Sequence, residues 1–292
     1  MKLLDGKLVS EKIKSGLEKE VREHSASNRA PHLAAILIGN DGASETYVAS
    51  KIRSCLQTGI ESTLIRLDAN TSEKEILDAI KNLNEDEKID GILVQLPLPG
   101  HVNEQKIITA IDPEKDVDGF HPQNIGKLVL GQKSFIPATP YGMLLMLEHY
   151  EIPTSGKHAV IIGRSNIVGK PMSILLSRNV TPGNCTVTLC HSKTTGLKEI
   201  CLQADIIVAA LGKPGFLKAD MVKEGAVVLD VGITRIQDDT KKSGYKLKGD
   251  VDFDNVSPKC SFITPVPGGV GLMTIAALLT NTVQAWKDHI KP

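Results

Sequence analysis

Short runs of apolar, often β-branched residues alternate along the chain with longer segments whose apolar positions recur every three or four residues. The runs predict strands, the longer segments predict amphipathic helices, and their alternation is typical of βαβ units on a parallel sheet. In the first half the predicted elements are helix 9–23, strand 32–39, a helix reaching residue 57, strand 62–67, helix 73–83, strand 91–96 and helix 104–111. In the second half they are helix 142–150, strand 158–163, helix 171–178, strand 186–190, helix 196–201 and strands 205–210 and 226–231.

Each half is a complete α/β layer, and 292 residues are about twice the usual size of one domain. We therefore predict two α/β domains with a cleft between them. The final segment, 274–290, carries an apolar helical stripe and is expected to return to the first domain. The predicted boundaries are 1–139 plus 273–292 for one domain and 140–272 for the other. The mixed charges of 238–248 predict a solvated excursion or hairpin.

Composition narrows the class of function. Basic and acidic residues number 34 each, so no net charge favours nucleic acid or an anionic membrane as a partner. The five cysteines form no CxxC pair and the histidines show no HExxH spacing, which predicts reduced thiols and no metal. The chain start resembles no targeting sequence and the apolar runs are short, so a cytoplasmic protein acting on a small molecule is expected.

The first candidate chemistry is a phenol and an amine one helical turn apart. Tyr47 and Lys51 lie in a segment whose composition favours helix, so both side chains are expected on one face. A partly desolvated amine exchanges protons near neutral pH, and a neighbouring ring can hold a flat substrate. The alternative is a surface tyrosine beside a solvated lysine. Gln95 ends an apolar strand, where it either bonds backbone groups or orients Lys51 and a polar atom of a substrate.

Two further segments combine turn residues with candidate ligand contacts. The segment 112–122 contains four acidic residues, some of which Asx turns explain. Asp118, before Gly119, is the best candidate, because a carboxylate there can accept paired donors from a heterocycle such as an aminopyrimidine. The loop 264–271 holds two prolines and three glycines, which make it stiff and let a ligand approach the backbone. Its alternative is an interdomain linker.

A candidate phosphate site follows the first strand of the second half. The turn from Gly163 to Gly169 leads into a helix with Pro171 in its first turn, and backbone amides at a helix start suit an anion. The spacing is Gly-x5-Gly and lacks the GxGxxG fingerprint of the common dinucleotide fold, so an ordinary strand-to-helix turn is the alternative.

The end of the next strand bears on the choice of nucleotide. An NAD site usually carries an acidic residue there for the ribose 2′-hydroxyl, but this strand ends Cys190-His191-Ser192-Lys193. Arg164, Ser165 and Ser192 are therefore expected to hold a 2′-phosphate through charge-assisted hydrogen bonds. The second domain is predicted to be a Rossmann-like domain that prefers NADP over NAD.

Taken together, these segments resemble the bifunctional methylenetetrahydrofolate dehydrogenase/cyclohydrolase family over nearly the whole chain. The motifs that carry the resemblance are the Tyr47-x-x-x-Lys51 helix ending in Gly59-Ile60, residues 95–99, residues 113–119, residues 137–140, residues 163–171, residues 190–194 and the loop 265–271. The resemblance implies oxidation of 5,10-methylenetetrahydrofolate by NADP and hydrolysis of the methenyl product to 10-formyltetrahydrofolate. It also implies a place in one-carbon metabolism and purine biosynthesis, and a homodimer.

The resemblance further implies residue roles. Lys51 is the acid/base group of the hydrolysis, Tyr47 packs along the folate, Gln95 positions Lys51 and Asp118 holds the pterin. The implied substrate contacts are Tyr47, Lys51, Val94, Gln95, Leu96, Asp118, Pro267, Gly268, Gly269, Val270 and Gly271, the last five in a loop that closes over the substrate. The implied NADP contacts are Gly163, Arg164, Ser165, Ser192 and Ile233.

The chain departs from the family at two positions and leaves two rival interpretations. Leu272 stands where the family often has proline, which makes the loop before it less restricted, and Ala138 stands where a cysteine is frequent. A short-chain dehydrogenase also uses Tyr-x-x-x-Lys, but there the pair follows the nucleotide motif, whereas Tyr47 and Lys51 precede Gly163. A non-catalytic sensor is the other rival, and the presence of Lys51 and Gln95 argues against it.

Overall fold

The computed structural model describes residues 1–26, 28–241 and 244–290. Backbone contacts divide the chain into a six-stranded unit, Met1–Ser10 with Thr139–Thr274, and a three-stranded unit, Glu11–Ala138 with Ile275–Pro292. Both units are α/β layers with parallel sheets, so the predicted fold class of two α/β domains is confirmed. The chain passes between the units within two helices and at the start of a third.

The strands alternate with helices along most of the chain. In the described residues the strands are β1 (Lys2–Leu3), β2 (His32–Ile38), β3 (Glu61–Leu67), β4 (Gly91–Val94), β5 (His158–Ile162), β6 (Thr186–Cys190), β7 (Ile206–Ala209), β8 (Ala226–Asp230), β9 (Thr234–Gln237), β10 (Tyr245–Lys248) and β11 (Cys260–Ile263). The helices are α1 (Gly6–Ser25), α2 (Gly42–Thr58), α3 (Glu73–Glu85), α4 (Glu104–Ala110), α5 (Pro122–Val129), α6 (Ala138–His149), α7 (Gly169–Ser177), α8 (Leu197–Leu202), α9 (Phe253–Val256) and α10 (Val270–His289). Short 3₁₀ turns occupy Ala219–Met221 and Ser257–Lys259.

The three-stranded sheet has the order β3-β2-β4, and both pairings are parallel. Strand β2 therefore has its successor β3 on one side and the later β4 on the other, an arrangement that opens a crevice at the carboxyl edge. One face of this sheet packs against α3 and α4 through apolar residues such as Ile36, Ile76, Ile80 and Ile107, all fully buried. The packing fixes the carboxyl end of β4, where Gln95 lies.

The six-stranded sheet has the order β1-β11-β8-β7-β5-β6 with every pairing parallel. Strand β5 lies between β6 and β7, so the strand order reverses there and the carboxyl end of β5 is the expected ligand position of an open α/β sheet. Its core includes Val160, Ile162, Ile207 and Val228, which are fully buried on strands that are apolar on both faces.

The first ten residues group differently from the predicted boundary, which placed them with the first half of the chain. Strand β1 pairs in parallel with β11, and the backbone N–H of Leu4 donates to the carbonyl of Ile263 at 2.8 Å. Two residues of strand carry no periodic pattern, so the sequence held no signal for this pairing. Helix α5 and strand β11 were also missed, because turn residues dominate the segment before α5 and Ser261 interrupts the short apolar run of β11.

Other elements differ from the prediction mainly at their ends. Helix α2 begins after Asp41, whose carboxylate accepts the N–H of Ser44 at 2.8 Å, and it ends at Gly59, which has a φ of +73°. The segment 238–248 contributes strand β10 to an antiparallel hairpin with β9, and residues 242–243 of that segment lie outside the described residues.

None of the described helices is both long and apolar enough to cross a membrane.

Candidate active site and nucleotide edge

A lysine and a glutamine meet at the carboxyl edge of the three-stranded sheet. Lys51 lies on the buried face of α2 and is only 7% exposed, and its Nζ donates to Oε1 of Gln95 at 3.0 Å. Gln95 directly follows β4, and its Nε2 donates to the carbonyl of Leu96 at 2.7 Å. The second bond fixes the amide orientation, so the oxygen of Gln95 must face the amine.

Burial governs the protonation of Lys51. Desolvation lowers the pKa of the Lys51 amine below its ordinary value, while the nearby Asp118 carboxylate raises it and so offsets part of that effect. Cys55, one turn later on the same helix, is fully buried, and burial raises the pKa of its thiol to about 12. The thiol is therefore neutral near pH 7, and the Asp118 carboxylate is the neighbour that opposes the lowering of the Lys51 pKa.

Asp118 lies in a loop held from several sides. Burial raises the pKa of its carboxyl, and Lys51 opposes that shift. The Asp118 carbonyl accepts the N–H of Ala138 at 3.2 Å. Gly119 has a φ of +75°, and a Cβ there would lie 2.7 Å from the backbone of Ile136 and Pro137. Only glycine allows this approach, so Gly119 is what lets the backbone after Asp118 pass against residues 136–137.

The same loop is anchored by two buried polar residues. Asp116 is 1% exposed and accepts the backbone N–H groups of Phe120 at 3.2 Å and His121 at 2.8 Å. Asn281, 4% exposed on α10, donates from Nδ2 to the carbonyls of Val117 at 2.8 Å and Ile136 at 2.9 Å. The final helix therefore ties down the backbone on both sides of Asp118.

The other predicted substrate contacts of this unit lie close by in the chain. Tyr47 lies one turn before Lys51 on α2 and is partly exposed. Val94 is the last residue of β4 and is 6% exposed, and Leu96 follows Gln95. The structure thus places Tyr47, Lys51, Val94, Gln95, Leu96 and Asp118 in one unit, and it brings Lys51 into contact with Gln95 and within electrostatic reach of Asp118.

The predicted nucleotide residues all follow strands at the carboxyl edge of the six-stranded sheet. Gly163 follows β5 with a φ of +125°, and a methyl group there would overlap the carbonyl oxygen of Ala210. A methyl group at Gly169 would likewise overlap the carbonyl of Gly163, where α7 begins. These two overlaps show that the backbone is closely packed around the turn, so neither position can carry a side chain.

The remaining nucleotide candidates flank this turn. Arg164 and Ser165 are exposed after β5, Ser192 is exposed after β6, and Ile233 follows β8 with 36% exposure. Ser165 accepts the N–H groups of Val168 at 3.1 Å and Gly169 at 3.3 Å, so its hydroxyl closes the turn and can still donate outward.

The loop Pro267–Gly271 belongs to the six-stranded unit rather than to the unit that holds Lys51. A Cβ at Gly6 would overlap the carbonyl of Gly269, so the loop packs against the start of α1. Val270 and Gly271 open α10, and the N–H of Leu272 donates to the carbonyl of Gly269 at 3.3 Å. A proline at 272 would lack that bond, which is the local consequence of this departure from the family.

Comparison with known proteins identifies the family. The tetrahydrofolate dehydrogenase/cyclohydrolase catalytic domain matches residues 4–118, and the tetrahydrofolate dehydrogenase/cyclohydrolase NAD(P)-binding domain matches residues 137–290. The chain belongs to the tetrahydrofolate dehydrogenase/cyclohydrolase family. The resemblance inferred from the sequence motifs is therefore confirmed. The catalytic-domain match contains Lys51 and the three-stranded sheet, and the NAD(P)-binding match contains Gly163 and strands β5–β11.

Relatives in this family match the chain over nearly its full length. The bifunctional protein FolD of Flavobacterium johnsoniae is 59% identical over 98% of each chain. The crystal structure of the bifunctional FolD enzyme from Campylobacter jejuni superposes with a TM-score of 0.93 at 49% identity, covering 99% of this chain and 100% of that one. The Trypanosoma brucei enzyme, solved with NADP and an inhibitor, gives a TM-score of 0.94 at 35% identity, covering 99% of this chain and 98% of that one.

The hydrogen bonds of the structure also show two supporting residues that were not predicted from the sequence. Asp116 stood among the four acids of its segment without a separate role, and Asn281 interrupts the apolar stripe of α10. A lone amide on a buried helical face requires hydrogen-bond partners, so Asn281 did carry a signal. Its partners are backbone carbonyls from a segment more than a hundred residues away, which no local pattern identifies.

Proposed function

We propose that the protein oxidises 5,10-methylenetetrahydrofolate to 5,10-methenyltetrahydrofolate with NADP and hydrolyses the methenyl compound to 10-formyltetrahydrofolate. The observation that carries this proposal is the contact of Lys51 Nζ with Gln95 Oε1 at 3.0 Å, made by an amine whose pKa burial lowers. Family membership over both halves of the chain supports the same pair of reactions.

Lys51 is proposed as the acid/base group of the hydrolysis. A neutral amine donates one N–H to Oε1 of Gln95, which leaves its lone pair free for a proton from water. Water adds through its oxygen to the methenyl carbon and its proton passes to Lys51. Return of a proton to the departing ring nitrogen and loss of the hydroxyl proton to solvent yield the formyl product with net release of one proton. The cationic substrate promotes the first transfer, because like charge lowers the pKa of the amine further.

Gln95 and Asp118 are proposed to position this chemistry. Gln95 holds the amine through an oxygen that its own bond to Leu96 keeps in place. Asp118 accepts paired donors of the pterin and maintains part of the Lys51 charge in the free protein. Tyr47 is proposed to pack along the folate, and Val94, Leu96 and Pro267–Gly271 are proposed as further substrate contacts.

The six-stranded unit is proposed to hold NADP. Its residues fit the group, because Gly163 and Gly169 leave no room for side chains at the turn after β5, and Ser165 closes that turn with its hydroxyl. Arg164, Ser165 and Ser192 would hold the 2′-phosphate, and Ile233 would line the site. When bound, NADP supplies the hydride acceptor for oxidation of the methylene bridge.

A homodimer in the cytoplasm is proposed as the form in which the protein acts. The dimer rests on the family resemblance alone. All five cysteines are free and buried, which suits a reducing compartment. Light scattering of the purified protein tests the dimer, and a monomer at micromolar concentration contradicts it. The product, 10-formyltetrahydrofolate, suits a formyl donor for purine biosynthesis.

The test of the proposed function is a coupled assay. Purified protein is mixed with 5,10-methylenetetrahydrofolate and either NADP or NAD, and reduced nucleotide and methenyl compound are followed together by absorbance. We expect reduced NADP to form with little accumulation of the methenyl compound. Protein that binds folate but turns over neither nucleotide contradicts the proposal.

The variant Lys51→Met separates the two reactions. Loss of the proton-transfer group is expected to lower hydrolysis of added methenyl compound by roughly 10²–10⁴-fold, while folate binding measured by calorimetry persists. Lys14→Met is the matched control, since Lys14 also contacts a glutamine, Gln57, but on an exposed surface. Full hydrolysis in Lys51→Met would overturn the assignment of Lys51.

A further inference from the structure

Two buried aspartates organise the backbone at the carboxyl edge of the six-stranded sheet. Asp250, fully buried, accepts three consecutive backbone N–H groups, those of Leu211 at 2.6 Å, Gly212 at 2.9 Å and Lys213 at 2.7 Å. These residues form the loop that follows β7. One carboxylate thus fixes three successive peptide groups of a loop that has no strand or helix of its own.

Asp230 supports this arrangement from the end of β8. It is 3% exposed and accepts the N–H groups of Gly232 at 3.1 Å, Asp250 at 2.8 Å and Val251 at 3.0 Å. A Cβ at Gly232 would overlap the Asp250 carboxyl, and a Cβ at Gly249 would overlap that of Asp230. Both glycines are therefore required for the two carboxylates to reach their donors.

The loop fixed by Asp250 lies at the same carboxyl edge of the six-stranded sheet as the proposed phosphate turn, Gly163–Gly169. Its first residue, Ala210, donates its N–H to the carbonyl of Ile162 on β5, and its carbonyl oxygen fills the space where a side chain at Gly163 would lie. The loop after β7 therefore packs directly on the first residue of the proposed phosphate turn. A displacement of the loop therefore moves the carbonyl oxygen that packs against Gly163.

We propose that Asp250 is a positioning residue of the NADP site, which acts by holding Leu211–Lys213 beside Gly163, and that Asp230 serves it by fixing the segment that carries Asp250. The proposal rests on the proposed function, since it assumes that the six-stranded unit binds NADP. Asp250 is buried beneath the loop and holds backbone groups, so it acts through the loop and not by contact with the reacting atoms.

The test is the variant Asp250→Asn, in which an amide NH₂ replaces one oxygen and faces backbone N–H groups. We expect the Kd for NADP from isothermal titration calorimetry, and the KM for NADP, to rise about tenfold or more, with kcat at saturating NADP within about threefold of wild type. Hydrolysis of added methenyl compound, which needs no nucleotide, provides a second readout and is expected to keep its wild-type rate.

Asp205→Asn is the matched control. Asp205 also accepts a backbone N–H, that of His158 at 2.9 Å, but it lies before β7, at the opposite edge of the sheet. We expect this variant to bind NADP as wild type does. An equal rise of the Kd for NADP in both variants, or an unchanged Kd for NADP in folded Asp250→Asn, would overturn the proposal. If wild-type protein itself bound no NADP, the proposed function would fail first, so the two failures are distinguishable.

Hydrogen exchange keeps the proposal testable if Asp250→Asn does not fold. In wild-type protein, NADP is expected to slow exchange of the amides of Leu211, Gly212 and Lys213 about fivefold or more, because nucleotide binding stabilises the conformation that Asp250 holds. Amides of α8, in the same unit, provide the reference. Unchanged exchange at the three loop amides in NADP-saturated protein would overturn the proposal.

Discussion

Nζ of Lys51 donates to Oε1 of Gln95 at 3.0 Å, and the other end of that amide is committed to the carbonyl of Leu96 at 2.7 Å. The amine thus faces a neutral acceptor whose orientation is fixed. Because burial lowers the pKa of Lys51 and an uncharged amide adds no opposing charge, the pair keeps the amine able to lose its proton.

Gln95→Glu tests the importance of a neutral acceptor. A carboxylate at the same position favours the ammonium form, so the pKa of Lys51 is expected to rise and the basic group of the hydrolysis to form only at higher pH. The pH profile of methenyl hydrolysis at saturating substrate should shift to higher pH by about one unit or more. Gln57→Glu, beside exposed Lys14, is the control and should leave the profile in place.

Asp118→Asn should shift the same profile in the opposite direction. Asp118 raises the pKa of Lys51 against the larger lowering effect of desolvation, so removing its charge lets the pKa fall further. We expect the ascending, low-pH limb of the hydrolysis profile, where Lys51 loses its proton, to move to lower pH when it is measured as kcat. The KM for folate should rise, because a proposed pterin contact is lost. A limb that stays in place or moves to higher pH contradicts the proposed electrostatic link.

The sequence predicted the layers of the fold better than their pairing. Apolar runs such as 158–162 and amphipathic stretches such as 73–85 carry local periodicity, and both elements appear in the structure close to their predicted ends. The pairing of β1 with β11 joins residues about 260 positions apart through backbone bonds, to which side-chain patterns are insensitive. The chain start therefore groups with the six-stranded unit because of a backbone pairing that no sequence pattern predicts.

The residues of the candidate site also differ in whether a local sequence pattern reveals them. Tyr47 and Lys51 were found because their spacing is local, and Gln95 because it interrupts an apolar run at a strand end. Asn281, Asp230 and Asp250 each bond backbone groups at least 20 positions away along the chain. Asp116 holds nearby N–H groups, those of Phe120 and His121, but its sequence context is an ordinary acidic turn. Such residues become recognisable only when the backbone that they hold is known.

Arg164→Ala tests the basis of nucleotide choice. If Arg164 pairs with the 2′-phosphate, its loss removes a charge-assisted hydrogen bond. The kcat/KM for NADP should then fall by about tenfold or more, while the kcat/KM for NAD stays nearly unchanged. The measurement is kcat/KM for each nucleotide. Lys170→Ala is the control, since Lys170 is an exposed cation of the same turn whose Nζ donates to Asn166 at 2.7 Å. Equal losses for NADP and NAD in Arg164→Ala contradict the assignment.

Asp116 should make the three-stranded unit less stable as pH rises towards neutrality. Burial raises the pKa of its carboxyl from 3.8 to about 7, although bonds from Asn124, His121 and Phe120 oppose the shift. The folded state therefore holds a proton that the unfolded chain loses between these two values, so the free energy of unfolding falls as pH rises from about 4 to 7. Asp116→Asn removes this titrating carboxyl, so the unfolding free energy of the variant should depend less on pH between about 4 and 7 than that of wild type.

Trp286 provides the readout for this last prediction. It is the single tryptophan of the chain, is fully buried, and lies in the same unit as Asp116. Urea unfolding followed by its fluorescence at several pH values gives the slope. Asp90→Asn is the control: burial raises the pKa of Asp90, but bonds from Arg29, His289 and the N–H of His32 together lower it below 3.8. Its stabilising effect is lost only as pH falls through that lower pKa, so Asp90→Asn should keep the wild-type slope between pH 4 and 7. An unchanged slope in Asp116→Asn would show that the Asp116 carboxyl is already ionised in the folded protein throughout that window.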